Sequence, residues 1–357
     1  MGGSQIDFPV EKLINLQSME ASGQPYAGAK ILLVEDDPQA VGILEPILIA
    51  KGFSVAVARD GVEGLEKVKL LSPDILLLDV NMPRMNGIEL CRRIKSDDNV
   101  RMTPVVMLTA LTDLENKLEA LEAGADDFVN KPYNTVELVT RIKSLLKVKY
   151  LNEQLDTAEA ILFSMARAIE AKDSYTQGHV ERVSRLAVRL GDYLGLADEE
   201  KDALRKGGIL HDIGKIGVPD KILNKAGPLT TEERRIIRMH PDQGSVICEK
   251  LKSIRGAIPV IRHHHERLDG TGYPDHLSGQ EIPLVARIMT IVDIYDALTT
   301  TRSYRKRLPQ NVALEIMWEE AKKGWWDQEV LAEFETMLKQ KDPEPPQESP
   351  IASTAPV

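Results

Sequence analysis

HDIGK at His211–Lys215, HHHERLDGTGYP at His263–Pro274 and VDIYDAL at Val292–Leu298 decide how this chain is read. With His179 and His240 they gather five of the seven histidines (His179, His211, His240, His264 and His265) and two aspartates, Asp212 and Asp293, as candidate ligands. His211-Asp212 and His264-His265 each place two donors side by side, and such pairs can serve neighbouring metal ions. Neutral imidazole and carboxylate suit a borderline divalent ion: iron or manganese first, zinc as the alternative. The segments carrying these residues predict helices over Thr176–Leu194, Asp198–Leu210, Thr230–Leu251, Ile258–His265, Pro283–Thr299, Asn311–Lys323 and Glu329–Leu338, an all-α domain with Trp325 and Trp326 completing its packing. Thr230, followed by Glu233, has the pattern of a capped helix start, and Asp198 is a second candidate cap.

The order of landmarks resembles the HD-GYP domain, a subgroup of the HD-type metal-dependent phosphohydrolases, over roughly residues 150–340. A lone His-Asp pair would carry little weight; HDIGK, HHER, DGTGYP and DIYDALT in sequence carry much more. The resemblance implies that His179, His211, Asp212 and Asp293 hold one metal. Asp212 then bridges to a second, held by His240, His264 and His265, with the partition between the two ions open. It implies that Lys215 faces the scissile phosphate, that Asp212 and Lys215 are the catalytic pair, and that Tyr273, Arg302 and Arg305 bind substrate. The substrate implied is cyclic di-GMP, opened to pGpG, with the further step to GMP open. Some members carry a Glu four residues before the first ligand histidine and bind a third metal. Tyr175 stands there, which favours two metals.

Around these ligands the remaining residues are read as support. His263 is taken as helix surface or an outer neighbour, and His276 as loop. Glu266 is a candidate to orient a ligand imidazole through its second nitrogen. Asp269 and Arg267 fix the loop, and Gly270 and Gly272 supply backbone angles closed to other residues.

Upstream, Lys30 to about Lys147 alternates short apolar strands with amphipathic segments. Five such units predict an α/β domain, a parallel sheet with helices on both faces and its chemistry at the carboxyl ends of the strands. Glu35 and Asp36 follow the first strand and Asp79 the third; Thr109 ends the fourth and Lys131 follows the fifth. Crowded carboxylates need a cation between them, and all-oxygen ligation favours magnesium. Asp79 can then act as a nucleophile toward a phosphoryl donor, with Lys131 and Thr109 facing the phosphate. VEDD at Val34–Asp37, DVNMPRMNG at Asp79–Gly87, LTA at Leu108–Ala110 and NKPY at Asn130–Tyr133 resemble the receiver domain of two-component response regulators. That resemblance implies Glu35 and Asp36 as the magnesium pair, Asp79 as phosphoacceptor, Asn81 as a backbone-carbonyl ligand, Phe128 as the rotameric aromatic, and a sensor histidine kinase as partner. Asp37 is taken as the next loop residue. Lys131–Pro132 is a candidate cis peptide.

From Val136 to Lys172 there is neither Pro nor Gly. Val148, Leu151, Leu155, Ala158, Leu162, Met165 and Ile169 recur at alternating steps of three and four, a heptad seam that predicts a connector helix pairing in a homodimer. The organisation expected is a flexible tail (1–29), a receiver (30–147), a connector (148–172), the hydrolase (173–341) and a disordered tail (342–357). Composition bounds the rest. Net charge is −10, which argues against a general nucleic-acid binder. No apolar run reaches the roughly 18 residues of a membrane helix, and no signal peptide is expected. Cys91 and Cys248 read as reduced packing residues, which places the chain in the cytoplasm. The function expected is a phosphorylation-controlled cyclic di-GMP phosphodiesterase. The alternatives are a non-catalytic sensor or docking module, and an HD hydrolase for another cyclic nucleotide.

Overall fold

The computed structural model describes residues 26–110, 114–172, 178–301 and 306–340. The chain divides at Thr157/Ala158 into two compact units.

In the first unit, β1 (Lys30–Val34), α1 (Pro38–Ala50), β2 (Ser54–Ala58), α2 (Gly61–Leu71), β3 (Ile75–Asp79), α3 (Gly87–Lys95), β4 (Val105–Ala110), α4 (Leu114–Glu122) and β5 (Asp127–Lys131) alternate. The sheet is wholly parallel, in the order β2-β1-β3-β4-β5. Its central strands are apolar on both faces because both are covered. Ile31, Leu33, Ile75 and Leu77 pack against α1 and against Leu138 and Ile142; Leu32, Leu76 and Leu78 pack with Leu90, Cys91 and Ile94 of α3. Order reverses between β1 and β3, so the loops after these strands diverge and leave a cleft at their carboxyl ends. All five predicted strands are present, and the Lys131–Pro132 bond is cis. Asp37 has a definite task that went unread: its carboxylate accepts the Gln39 amide at 2.9 Å and caps α1. Ahead of β1, Tyr26 stacks on Tyr150 with centroids 5.8 Å apart.

A single helix, α5, runs unbroken over Thr135–Lys172 as the absence of Pro and Gly predicted. The heptad seam along it is not uniform. Val148, Leu151, Leu155 and Met165 are exposed, whereas Ile169 is buried and Leu162 half-buried, packed with Ile209, Leu210 and Ile213. The end of the stripe is therefore spent on this chain's own core, which limits the unpaired seam to the earlier turns.

The second unit is helical: α6 (His179–Tyr193), α7 (Asp198–Leu210), α8 (Asp220–Leu223), α9 (Thr231–Arg238), α10 (His240–Cys248), α11 (Ile258–His263), α12 (Leu284–Thr299), α13 (Gln310–Lys322) and α14 (Gln328–Lys339), with a 3-10 turn at Ile213–Gly217. The α12 helix is central, with Val285, Ala286, Ile288, Met289, Ile291 and Val292 buried among α6, α13 and α14.

Two predictions need correction. Thr230–Leu251 is two helices, broken at Met239, because Pro241 has no amide hydrogen and its ring opposes the carbonyl four residues back, Ile237. Thr230 does cap α9, with Glu233 bonding back to the Thr230 amide at 2.7 Å. Asp198 does not cap α7. It is the first helical residue, and the Ala197 amide is satisfied by Glu200 at 3.1 Å. Cys91 and Cys248 are buried free thiols. Among the described residues no helix is long and apolar enough to cross a membrane. The expected tails, for residues 1–25 and 341–357, lie outside the described residues, as do Tyr175, Arg302 and Arg305.

Candidate metal centre

Helix ends deliver the histidines. His211 closes α7, His240 opens α10 and His264 follows α11. Each sits where the last helical carbonyls lack partners. The three respond alike: Nδ1 meets the carbonyl three residues back, Gly208 at 2.9 Å, Ile237 at 2.8 Å and Ile261 at 2.9 Å. A carbonyl only accepts, so Nδ1 carries the proton and Nε2 is left with its lone pair. The Ile237 carbonyl is the one that Pro241 faces, so the helix break also supplies the acceptor that fixes His240. At the start of α6, His179 makes the same arrangement with a carboxylate, its Nδ1 lying 2.7 Å from Asp296 Oδ2.

These nitrogens converge. Donor atoms of His179, His211 and Asp293 lie within 4.8 Å of one another, and so do those of His240, His264 and His265. Asp212 stands between the two groups. Its Oδ2 is 3.4 Å from His211 Nε2 and 2.7 Å from Lys215 Nζ, and its Oδ1 is 3.2 Å from His240 Nε2. His179 Nε2 is 3.3 Å from Asp293 Oδ1.

The electrostatics fit a cation. Burial drives the His264 imidazole well below its usual range, and burial drives His265 down to about 3, so both are neutral. Burial opposes the charge on Asp212 and Asp293. For Asp212 the Lys215 ammonium and His211 outweigh it, and for Asp293 the bond to His179 does; both stay well below the carboxylate range. His240 Nε2 and His264 Nε2 face each other at 3.3 Å. His211 Nε2 is buried with no hydrogen-bond partner. A buried polar atom without a partner costs about 1–3 kcal/mol, which a divalent ion bound there removes. The residues present therefore fit divalent metals.

Several supporting roles differ from those expected. Glu266 orients no imidazole: its Oε1 accepts the Asp275 amide at 2.7 Å and pins the loop. The imidazole of His179 is oriented instead by Asp296, gripped in turn by Arg182 at 2.7 Å. Its signal was available, since Asp296 lies one turn beyond Asp293 on the same helix. Gly270 has φ +76° as expected, but Gly272 is needed for space, because a Cβ there would collide with the backbone of Glu266 and Arg267. Asp269 turns the loop by accepting the Thr271 amide at 2.9 Å, and Arg267 stacks on Trp325 at 3.9 Å. His263 stands apart from both triads, beside Asp275 at 3.5 Å, and His276 is exposed loop.

A cavity of about 330 Å³ opens beside the ligands, lined by Arg238, His264, His265, Arg267, Tyr273 and Asp293 among others. Tyr273 lies against His265 with centroids 4.8 Å apart, and the Arg238 guanidinium sits 5.1 Å above its ring. Arg238 was not foreseen. It is one of three arginines in α9, with Arg234 and Arg235, and nothing local marks it out from the other two.

In the first unit, donor atoms of Glu35, Asp36 and Asp79 lie within 4.8 Å of one another in the cleft. Lys131 Nζ is 2.7 Å from both Glu35 and Asp79. Burial raises both of these carboxyls despite Lys131, which is the condition a cation relieves. Thr109 is buried at the end of β4 and bonds Asn130 at 3.3 Å. Asn81 lies in the loop after β3 with an exposed side chain. Phe128 is half-buried and packed on the sheet.

The comparisons agree with this division. A response regulator receiver domain matches residues 31–143 and an HD domain matches residues 164–330. The Xanthomonas campestris protein named cyclic di-GMP phosphodiesterase response regulator RpfG is 34% identical over 314 residues, covering 82% of this chain and 83% of that one. A cyclic di-GMP phosphodiesterase of Thermotoga maritima is 32% identical over 307 residues, covering 78% of this chain and 82% of its own. A 3'3'-cGAMP-specific phosphodiesterase of Vibrio cholerae is 40% identical over 161 residues, or 45% of this chain and 35% of that one. With both parts matched in order and a relative aligned over most of its length, this chain belongs to the family of metal-dependent phosphodiesterases that join a receiver domain to an HD domain.

Proposed function

We propose that the chain hydrolyses cyclic di-GMP to linear pGpG at a two-metal centre, under control of phosphorylation at Asp79. The observation that carries this is Asp212, which offers one oxygen to the imidazole of each triad. His179, His211 and Asp293 would hold one ion and His240, His264 and His265 the other, with Asp212 placed to serve both. Iron or manganese suits this donor set. Divalent ions there neutralise the phosphodiester and make water a nucleophile at neutral pH.

The chain's own residues do the rest. Lys215, 2.7 Å from Asp212, is placed to stabilise the charge that builds on the phosphate. Tyr273 offers a ring face to a guanine, and Arg238 offers a guanidinium fork at the cavity wall. Arg302 and Arg305 keep the phosphate-binding role that the resemblance implies. In the receiver, Glu35, Asp36 and the Asn81 carbonyl hold magnesium while Lys131 and Thr109 bind the phosphoryl group that a histidine kinase supplies. The exposed residues Val148, Leu151 and Leu155 of α5 pair in a homodimer. Two buried thiols are kept by a reducing compartment, which fits the cytoplasm.

A second reading follows from the Vibrio relative: another 3'3'-cyclic dinucleotide as substrate. One assay separates the readings. Purified full-length protein with measured metal content is incubated with cyclic di-GMP and with 3'3'-cGAMP, with and without beryllofluoride. The expected result is two iron or manganese ions per chain besides the receiver's magnesium, pGpG from cyclic di-GMP, and a rate that changes with beryllofluoride. Tight binding without product would leave a sensor, and turnover of 3'3'-cGAMP alone would establish the second reading.

A further inference from the structure

The start of α6 has no cap of its own. Its N-cap residue, Gly178, is in the left-handed region at φ +73° and has no side chain to offer. The first amides of a helix need acceptors from elsewhere. Here a carboxylate from another helix supplies them. Glu170, in the last turn of α5, accepts from the His179 amide at 2.5 Å and from the Val180 amide at 3.2 Å, both through Oε1. A negative charge at a helix N-terminus is also favoured by the helix dipole.

The end of α5 is firmly seated where it does this. Ala166 and Ile169 are buried against Ile209, Leu210 and Ile213. Glu159 bonds Lys206 at 3.0 Å, and Arg167 bonds Glu181 of α6 at 2.6 Å. His179 is thus held twice, its imidazole by Asp296 and its backbone by α5.

We infer that Glu170 is a positioning residue. It sets the place of His179 in the metal triad, and it is the joint through which a shift of α5 reaches that triad. The inference rests on the reading of His179 as a metal ligand. Helix α5 begins at Thr135, just after β5 of the receiver, and contains no break that would absorb a rotation before Glu170. Misplacing a catalytic group by about 1 Å costs on the order of a hundredfold in rate. A small turn of α5 at Glu170 is therefore enough to change activity.

The test uses the full chain, with manganese titrated into metal-free protein and with steady-state rates on cyclic di-GMP. Glu170→Ala is expected to weaken one of the two manganese sites about tenfold or more, to lower kcat with KM little changed, and to bring the ratio of rates with and without beryllofluoride close to one. Glu170→Gln keeps an acceptor oxygen and is expected to restore most of the manganese affinity. Wild-type affinity for both manganese ions in Glu170→Ala would overturn the proposal. So would equal loss of thermal stability in both variants with affinity unchanged, which marks an ordinary structural cap. A wild-type rate ratio retained by Glu170→Ala would refute the joint. The ligand reading fails separately, if His179→Ala keeps both manganese sites.

Discussion

Asp212→Ala is expected to lower kcat on the cyclic dinucleotide by about a thousandfold or more, roughly 4 kcal/mol of transition-state stabilisation. The reason is position. Among the described residues Asp212 is the one carboxylate within 3.5 Å of imidazoles from both triads, so its removal would take a donor from each of the two ions proposed. It also strips Lys215 of a partner at 2.7 Å, so the ammonium loses the anchor that aims it. The iron or manganese content of the helical unit is expected to fall from two ions per chain to one or none, which a mass-spectrometric assay of those metals reads apart from the receiver's magnesium. The receiver should be unaffected, and beryllofluoride binding at Asp79 serves as the control for folding. A variant that holds two ions and turns over normally would remove Asp212 from the centre.

Gly214→Ala is the second large effect, and it acts through space. Gly214 lies in the 3-10 turn that follows Asp212, and a Cβ there would collide with the His240 carbonyl and meet the Gly244 amide at 2.6 Å. Both obstacles are backbone, so α10 must move. That movement separates His240 from Asp212, now 3.2 Å apart. Overpacking of this kind costs about 1–3 kcal/mol, and the displaced ligand lowers the rate by about a hundredfold. Gly227→Ala is the matched control, since a Cβ at Gly227 meets nothing within 4 Å. Thermal melting of the full chain, read alongside turnover, checks both effects. Equal melting and equal rates for the two variants would contradict the close packing of α10 on the 3-10 turn.

What the sequence made legible, and what it hid, follows from the range of the interactions. The sheet was readable because ILLL at Ile75–Leu78 is buried on both faces, and a run of that kind has few other homes. The histidines that converge in the helical unit were readable as candidate ligands, His211 and the His264–His265 pair from their motifs, and the structure brings their donor atoms together with those of His179 and His240. The break at Met239 was missed although Pro241 announced it, because an apolar pattern on both sides reads as one helix. Asp296, Arg238 and Glu170 were missed for a different cause. Each acts across the fold on a residue distant in sequence: Asp296 on His179, Arg238 on Tyr273, Glu170 on the His179 amide. Local periodicity carries no trace of the last two, and for Asp296 the only hint is its place one turn beyond Asp293 on the same helix. The heptad seam shows the opposite error, since a period of 3.5 marks an apolar stripe without saying what covers it. Here the last turns are covered by the chain itself.

The sharing of Asp212 by two ions is open to direct observation. Anomalous diffraction from crystals of the manganese-loaded full chain, collected on both sides of the metal's absorption edge, tests it most directly. Two peaks per chain are expected in the helical unit, one among His179, His211 and Asp293 and one among His240, His264 and His265, with Asp212 touching both. A single peak, or two peaks with Asp212 turned away toward Lys215 alone, would contradict it.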